Sequence, residues 1–121
     1  MKDSFDEAAR LNPLDAEAWN NKGIDLVNIG KYDEAIQCFD EAIRINPDNA
    51  GAWYNKGIAL DILGKYDEAI KCCDAAIMIN PGNADAWNLK CLALFSIEKH
   101  DEAFKCWDEA IRINPEDDSD N

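Results

Sequence analysis

Basic residues are scarce in this chain: 12 Lys and Arg stand against 25 Asp and Glu over 121 residues, a formal net charge of −13. Such a charge repels nucleic acid phosphates and anionic lipid headgroups, and the few cations form no patch, so DNA, RNA and membrane-surface partners are excluded. No apolar run approaches the ~20 residues that a membrane-spanning helix needs. The N-terminal MKDSFDEAAR lacks the apolar stretch of a secretory signal, and a soluble cytoplasmic protein is expected. Histidine occurs once, as His100, and there is no CxxC, HExxH, glycine-rich phosphate loop or metal-ligand spacing. A nucleophile needs a base held beside it. With none in sight, no catalytic residue, cofactor or metal is expected, and an enzyme is disfavoured.

What the chain does have is repetition. Residues 16–49 read AEAWNNKGIDLVNIGKYDEAIQCFDEAIRINPDN, 50–83 read AGAWYNKGIALDILGKYDEAIKCCDAAIMINPGN, and 84–117 read ADAWNLKCLALFSIEKHDEAFKCWDEAIRINPED. A fixed period of this size marks a stacked array, in which each unit buries its apolar face against its neighbours. Three of the five cysteines, Cys38, Cys72 and Cys106, occupy one place in successive copies. Equivalent places lie about 10 Å apart, beyond the ~7 Å Cα limit of a disulfide. These three, with Cys73 and Cys91, read as reduced, buried fillers.

Each copy reads as two helices. The Asn-Pro of Asn46-Pro47, Asn80-Pro81 and Asn114-Pro115 ends the second helix of a copy, because proline cannot continue it. Asn49 and Asn83 can then cap the next one. In copy one, a first helix is predicted from Ala16 to Ile29, stopped by Gly30, and a second from Lys31–Tyr32 to Ile45 with Asp33 and Glu34 at its positive end. Copy three has Glu98 for the terminating glycine and His100 for the tyrosine, where an aromatic packing role is expected. Trp19, Gly23 and Leu26 share one stripe, facing Ala35, Phe39 and Ala42. Copy two supplies Trp53, Gly57, Leu60, Ala69, Cys73 and Ala76, and copy three Trp87, Cys91, Leu94, Ala103, Trp107 and Ala110.

Trp, Gly, a large apolar residue, Ala, an aromatic, Ala and Pro at these offsets resemble the tetratricopeptide repeat (TPR). The resemblance implies an all-α, right-handed superhelical solenoid of antiparallel helix pairs, with TPR 1 at 16–49, TPR 2 at 50–83 and TPR 3 at 84–117. Departures are Cys91 for Gly, Cys73 for the aromatic, and Lys22, Lys56 and Lys90 where leucine is usual; their stems can still cover apolar surface. Residues 1–15 match only the second half of a copy, with Phe5 aligned to Phe39, Ala8 to Ala42 and Pro13 to Pro47. That makes about seven helices, followed by an acidic disordered tail at 118–121. The stack should be open at both ends, as a fragment of a longer array or a chain that self-associates, for example through Phe5 and Ile113.

A second stripe runs along each first helix, roughly opposite the Trp-Gly-Leu stripe. It holds Glu17, Asn20, Asn21, Ile24, Val27 and Asn28, then Gly51, Tyr54, Asn55, Ile58, Asp61 and Ile62, then Asp85, Asn88, Leu89, Leu92, Phe95 and Ser96. In TPR domains first helices line the concave face, so the resemblance makes this stripe a peptide groove. Copies one and two differ at 4 of its 6 places but at only 7 of the other 28; copies one and three differ at 5 of 6 against 9 of 28. Exposed Lys31, Lys65 and Lys99, and Asp33, Asp67 and Asp101, have not diverged, which favours a groove over general surface drift.

The TPR domains that hold acidic chaperone tails use a carboxylate clamp of lysines, asparagines and an arginine. The corresponding places here hold Asn20, Ile24, Asn55, Asp85 and Leu89, of which only Asn55 matches. Without cations a dicarboxylate would be desolvated unpaired, so that ligand is disfavoured. The candidate groove is Asn20, Asn21, Ile24, Tyr54, Asn55, Ile58, Asn88, Leu89, Leu92 and Phe95. Its amides can pair with a peptide backbone of any sequence, and Glu17, Asp61 and Asp85 favour a neutral or basic, partly apolar segment. A protein–protein interaction scaffold is the function expected; the alternative is a structural module that stacks end to end.

Overall fold

A computed structural model describes residues 13–113, which form six helices: α1 (Pro13–Asn28), α2 (Tyr32–Ile45), α3 (Ala50–Ile62), α4 (Tyr66–Ile79), α5 (Ala84–Ser96) and α6 (His100–Ile113). The partial second helix expected before them, with Phe5, and the tail at 118–121 lie outside the described residues. α1 starts three residues earlier than the expected Ala16. Proline is well placed at a helix start, where its missing N–H is not needed and its φ already suits the helix, so Pro13 opens α1 instead of closing a preceding turn.

Local chemistry accounts for the other boundaries. Asn49 and Asn83 cap α3 and α5, their Oδ1 atoms accepting from the N–H of Ala52 and Ala86 at 3.1 and 3.2 Å. The Asn46 and Asn80 side chains accept from Asp48 N–H and Gly82 N–H, closing each interrepeat turn. Trp53 Nε1 donates to the Pro47 carbonyl at 2.9 Å and Trp87 Nε1 to that of Pro81 at 3.2 Å, which ties each turn to the helix it feeds. Each first helix ends in a Schellman turn: Lys31, Lys65 and Lys99 donate backbone N–H to Leu26, Leu60 and Leu94, five residues back. That motif needs a left-handed residue just before the lysine. Gly30 and Gly64 supply it at φ 83° and 80°; Glu98 is forced into it at 65°.

Within a repeat the two helices close over small residues. Ala35, Phe39 and Ala42 of α2 are fully buried. A Cβ placed on Gly23 would stand 2.4 Å from Phe39 Cε1, so only glycine lets the ring seat against α1. Between repeats, α2 packs on α3 and α4 on α5. The first helices α1, α3 and α5 also touch in succession, whereas the second helices α2, α4 and α6 do not. The stack is therefore tight along its first helices and splayed along its second ones, which puts α1, α3 and α5 on the inside of the curve.

Candidate functional site

The inner face is built from the second stripe of α1, α3 and α5, but the structure divides its residues between a seam and a surface. Asn20 is only 9% exposed, and its Oδ1 accepts from Asn55 Nδ2 at 3.1 Å. Leu89 is also buried, its Cδ2 lying 3.2 Å from where a Gly57 Cβ would stand. These side chains join adjacent first helices. Helical periodicity alone assigns Asn20 and Leu89 to the peptide groove; in the structure both side chains are buried against the neighbouring repeat, because successive helix positions point about 100° apart and one of them meets the neighbouring helix. Asn55 keeps its carbonyl oxygen for another partner.

The rest of the stripe is accessible. Asn21 is exposed; Ile24, Tyr54, Ile58 and Asn88 are half-buried; Leu92 and Phe95 are 53% and 44% exposed. Phe95 extends into an aromatic cluster, its ring centroid 4.5 Å from His100, 5.8 Å from Trp107 and 6.3 Å from Phe104. His100 thus packs as an aromatic at the helix start. Asp61 lies in the middle of the stripe with Oδ1 buried and without a hydrogen-bond partner. Burial raises its pKa above the ordinary carboxylate value. Burial, with Asp85 and Cys73 adding to it, likewise raises the Tyr54 phenol. The stripe contains no lysine or arginine.

Three of the lysines are committed elsewhere. Lys22, Lys56 and Lys90 lie over the rings of Trp19, Trp53 and Trp87, 5.5, 5.9 and 5.6 Å from their centroids. Lys56 also reaches back to Asp40 at 2.7 Å, and Lys90 to Asp74 at 2.8 Å, each carboxylate belonging to the preceding repeat. Burial works against the Lys90 charge, but the hydrogen bond and the attraction of Asp74 outweigh it, so its pKa is raised. Sequence alone does not give the destination of these ammonium groups.

A feature the sequence reading missed lies on the outer side. A groove of about 830 Å³ separates α2 from α4, with Trp53, Lys56 and Leu60 of α3 between them. Its charged lining mixes Asp33, Asp40 and Glu68 with Lys56, Lys65 and Lys71. Ala75, where the other copies have Glu41 and Glu109, was the sequence signal for it.

The five cysteines are free thiols and all are buried. Burial pushes Cys72 up to about 11 and Cys73 and Cys91 up to about 12, and raises Cys38 and Cys106, so none supplies a thiolate in the folded state. Among the described residues no cluster of His, Cys, Asp and Glu could hold a metal ion, and no helix is long and apolar enough to cross a membrane. Ile113 is half-buried beside the turn from Asn80 to Asp85. The more exposed apolar groups of α6 are Phe104 and Ile111, 54% and 45% exposed.

Tetratricopeptide repeat patterns match residues 4–37, 21–84 and 84–117. No curated protein matches the chain in sequence. Among solved structures, the second TPR of Spaghetti (RPAP3) bound to the HSP90 peptide SRMEEVD is 26% identical over 88% of this chain and 99% of that one, with a TM-score of 0.83. The TPR2B domain of yeast Sti1, in its pHsp70 complex, is 26% identical over 84% and 81%, with a TM-score of 0.81. MamA is 30% identical over 86% of this chain and 57% of that chain, with a TM-score of 0.80.

Proposed function

The chain belongs to the tetratricopeptide repeat family, and from that premise we propose that it is a protein-interaction scaffold whose inner face holds a neutral or basic, partly apolar peptide segment. One observation carries the ligand chemistry. The inner stripe offers exposed Leu92 and Phe95, carries the carboxylates of Asp61 and Asp85, and contains no cation. A basic side chain would pair with these carboxylates, and apolar side chains would cover Leu92 and Phe95. A ligand carboxylate would meet Asp61 and Asp85 with nothing to compensate its lost hydration.

The reading separates this chain from the two neighbours that hold chaperone peptides. Where they share its fold, its lysines Lys56 and Lys90 are paired with Asp40 and Asp74. Selection from a displayed random-peptide library, followed by titration of the selected peptides and of SRMEEVD, tests it. Selected peptides should carry no net negative charge, and Tyr54→Ala with Phe95→Ala should weaken them at least tenfold, about 1.4 kcal/mol. SRMEEVD should stay unbound at millimolar concentration. Micromolar binding of SRMEEVD, or selection of acidic C-termini, would refute the ligand class.

A second reading rests on a different face. Ile36 and Ile70, the counterparts of Phe104, are packed against the clusters of the following repeat, whereas Phe104 and Ile111 are exposed. End-to-end assembly would cover them. Light scattering over a concentration series distinguishes the two: an oligomer broken by Phe104→Glu supports assembly, and a monomer throughout rejects it. Ile113, and Phe5 beyond the described residues, are further probes.

A further inference from the structure

Cys91 takes the place that glycine holds in the other two repeats, and it faces Cys106 across the α5–α6 contact. The second repeat gives the spacing at this place. A Cβ built on Gly57 stands 3.4 Å from Cys72 Cβ, and Cys106 is the counterpart of Cys72. Disulfides have Cβ–Cβ separations of about 3.5–4.5 Å, so the first-helix and second-helix backbones already lie near the distance a bridge requires. Both cysteines belong to one buried cluster, 0% and 6% exposed, and the Cys106 thiol is a side-chain hydrogen-bond partner of Cys91.

The large side chain at the facing place does not bar the pair. In the first repeat Phe39 fills the space against Gly23 and would clash with any Cβ there. Its counterpart Trp107 is only half-buried: it packs against the cluster that holds Cys91 and Cys106 and also lies on Phe95 and Phe104, at 5.8 and 5.9 Å. The third repeat thus has a side chain at residue 91 where the first has only glycine.

We propose that Cys91 and Cys106 form a modification site, a latent disulfide that staples α5 to α6 when the chain meets a small-molecule disulfide oxidant. Cys106, the less buried thiol, attacks the oxidant RSSR as its thiolate, forming a mixed disulfide and releasing RS⁻. The Cys91 thiolate then attacks the Cys106 sulfur and expels the second RS⁻. Two protein thiols lose two electrons, RSSR gains them, and the two thiol protons end on two RSH. Burial holds both thiols protonated in the closed repeat, so the rate is set by transient lifting of α6, the last described helix. The bridge fixes α6 to the helix that carries Asn88, Leu92 and Phe95. The other cysteines offer no such pair: Cys38 and Cys72 lie a repeat apart, and Cys72 and Cys73 are adjacent on one helix.

The test incubates the full chain with glutathione disulfide a few degrees below its melting temperature, followed by thiol counting under denaturing conditions and peptide mapping. Titratable thiols should fall from the five of the reduced chain to three, with one Cys91–Cys106 crosslink. Closing this loop should raise the melting temperature by several degrees, reversed by reductant. Cys91→Gly, which restores the residue of the other repeats, should keep all its remaining thiols. Persistence of five thiols, glutathione adducts without a crosslink, a crosslink through Cys38, Cys72 or Cys73, or a lowered melting temperature would each overturn the proposal.

Discussion

The same substitution should have opposite effects at two equivalent glycines. In Gly23→Ala the new methyl would stand 2.4 Å from Phe39 Cε1 and 2.8 Å from Cδ1 and Cζ. The Phe39 ring is among the largest fully buried side chains, so it can yield only by displacing its neighbours. Overpacking of this kind costs about 1–3 kcal/mol, against a gain of about 1 kcal/mol for alanine over glycine inside a helix. The net is a loss of about 1 kcal/mol. In Gly57→Ala the nearest atoms are Leu89 Cδ2 at 3.2 Å, the far end of a flexible side chain, and Cys72 Cβ at 3.4 Å. A shift of a few tenths of an ångström relieves both, so most of the helix gain survives and the variant should be more stable by about 0.5 kcal/mol. For a chain of this size 1 kcal/mol moves the melting temperature by roughly 3–6 °C. Circular dichroism melts of the two variants should therefore differ by about 5–9 °C, on opposite sides of the parent. Phe39→Leu opens room for the methyl, so Gly23→Ala/Phe39→Leu should lose less than the sum of its parts by at least 0.5 kcal/mol, roughly the threshold for coupled sites. Shifts of the same sign in both glycine variants, or a strictly additive double variant, would refute the packing argument.

Glu98→Gly should stabilise the chain by about 1 kcal/mol, because Glu98 holds φ 65° in a turn where its counterparts are Gly30 and Gly64; an unchanged denaturation midpoint would contradict it. Asn83→Ala should cost about 1 kcal/mol by removing the cap on Ala86 N–H, read as a lower urea midpoint with unchanged slope. Asp61→Asn tests the buried carboxylate by its pH dependence. Its folded pKa is raised above the unfolded value of 3.8 by burial, so the folded state holds the proton more tightly and the parent loses stability as pH rises from 3.8 through the folded pKa. The asparagine variant should therefore melt higher than the parent at pH 7, with the difference vanishing below pH ~3; a difference that grows on acidification would reverse the assignment.

What was legible in the sequence follows the range of the interactions involved. Helix ends rest on contacts within six residues, such as Asn49 to Ala52 and Lys31 to Leu26, and composition declares them. The pairing of Gly23 with Phe39 is also declared, because bulk on one helix must meet absence of bulk on the other. The inner face was legible only in part. Helical periodicity separates its stripe from the core stripe, but it does not say which stripe residues meet the next repeat, and the Asn20–Asn55 bond spans 35 positions. The divergence between copies has the same ambiguity. Of the exposed residues that did not diverge, Asp33, Asp67 and Asp101 have work at the helix starts, in first turns where carboxylates favour the positive helix end, whereas Lys31 and Lys65 occupy the cap positions of α2 and α4 with no side-chain cap hydrogen bond. The constancy of the aspartates therefore says nothing of how freely an unconstrained surface changes. Conversely, Asn20 and Leu89 changed identity between copies while serving as seams. Variation between copies thus mixes two pressures, fit to the neighbouring repeat and fit to a ligand. Only residues free of the first, such as Asn21, Leu92 and Phe95, bear on the second.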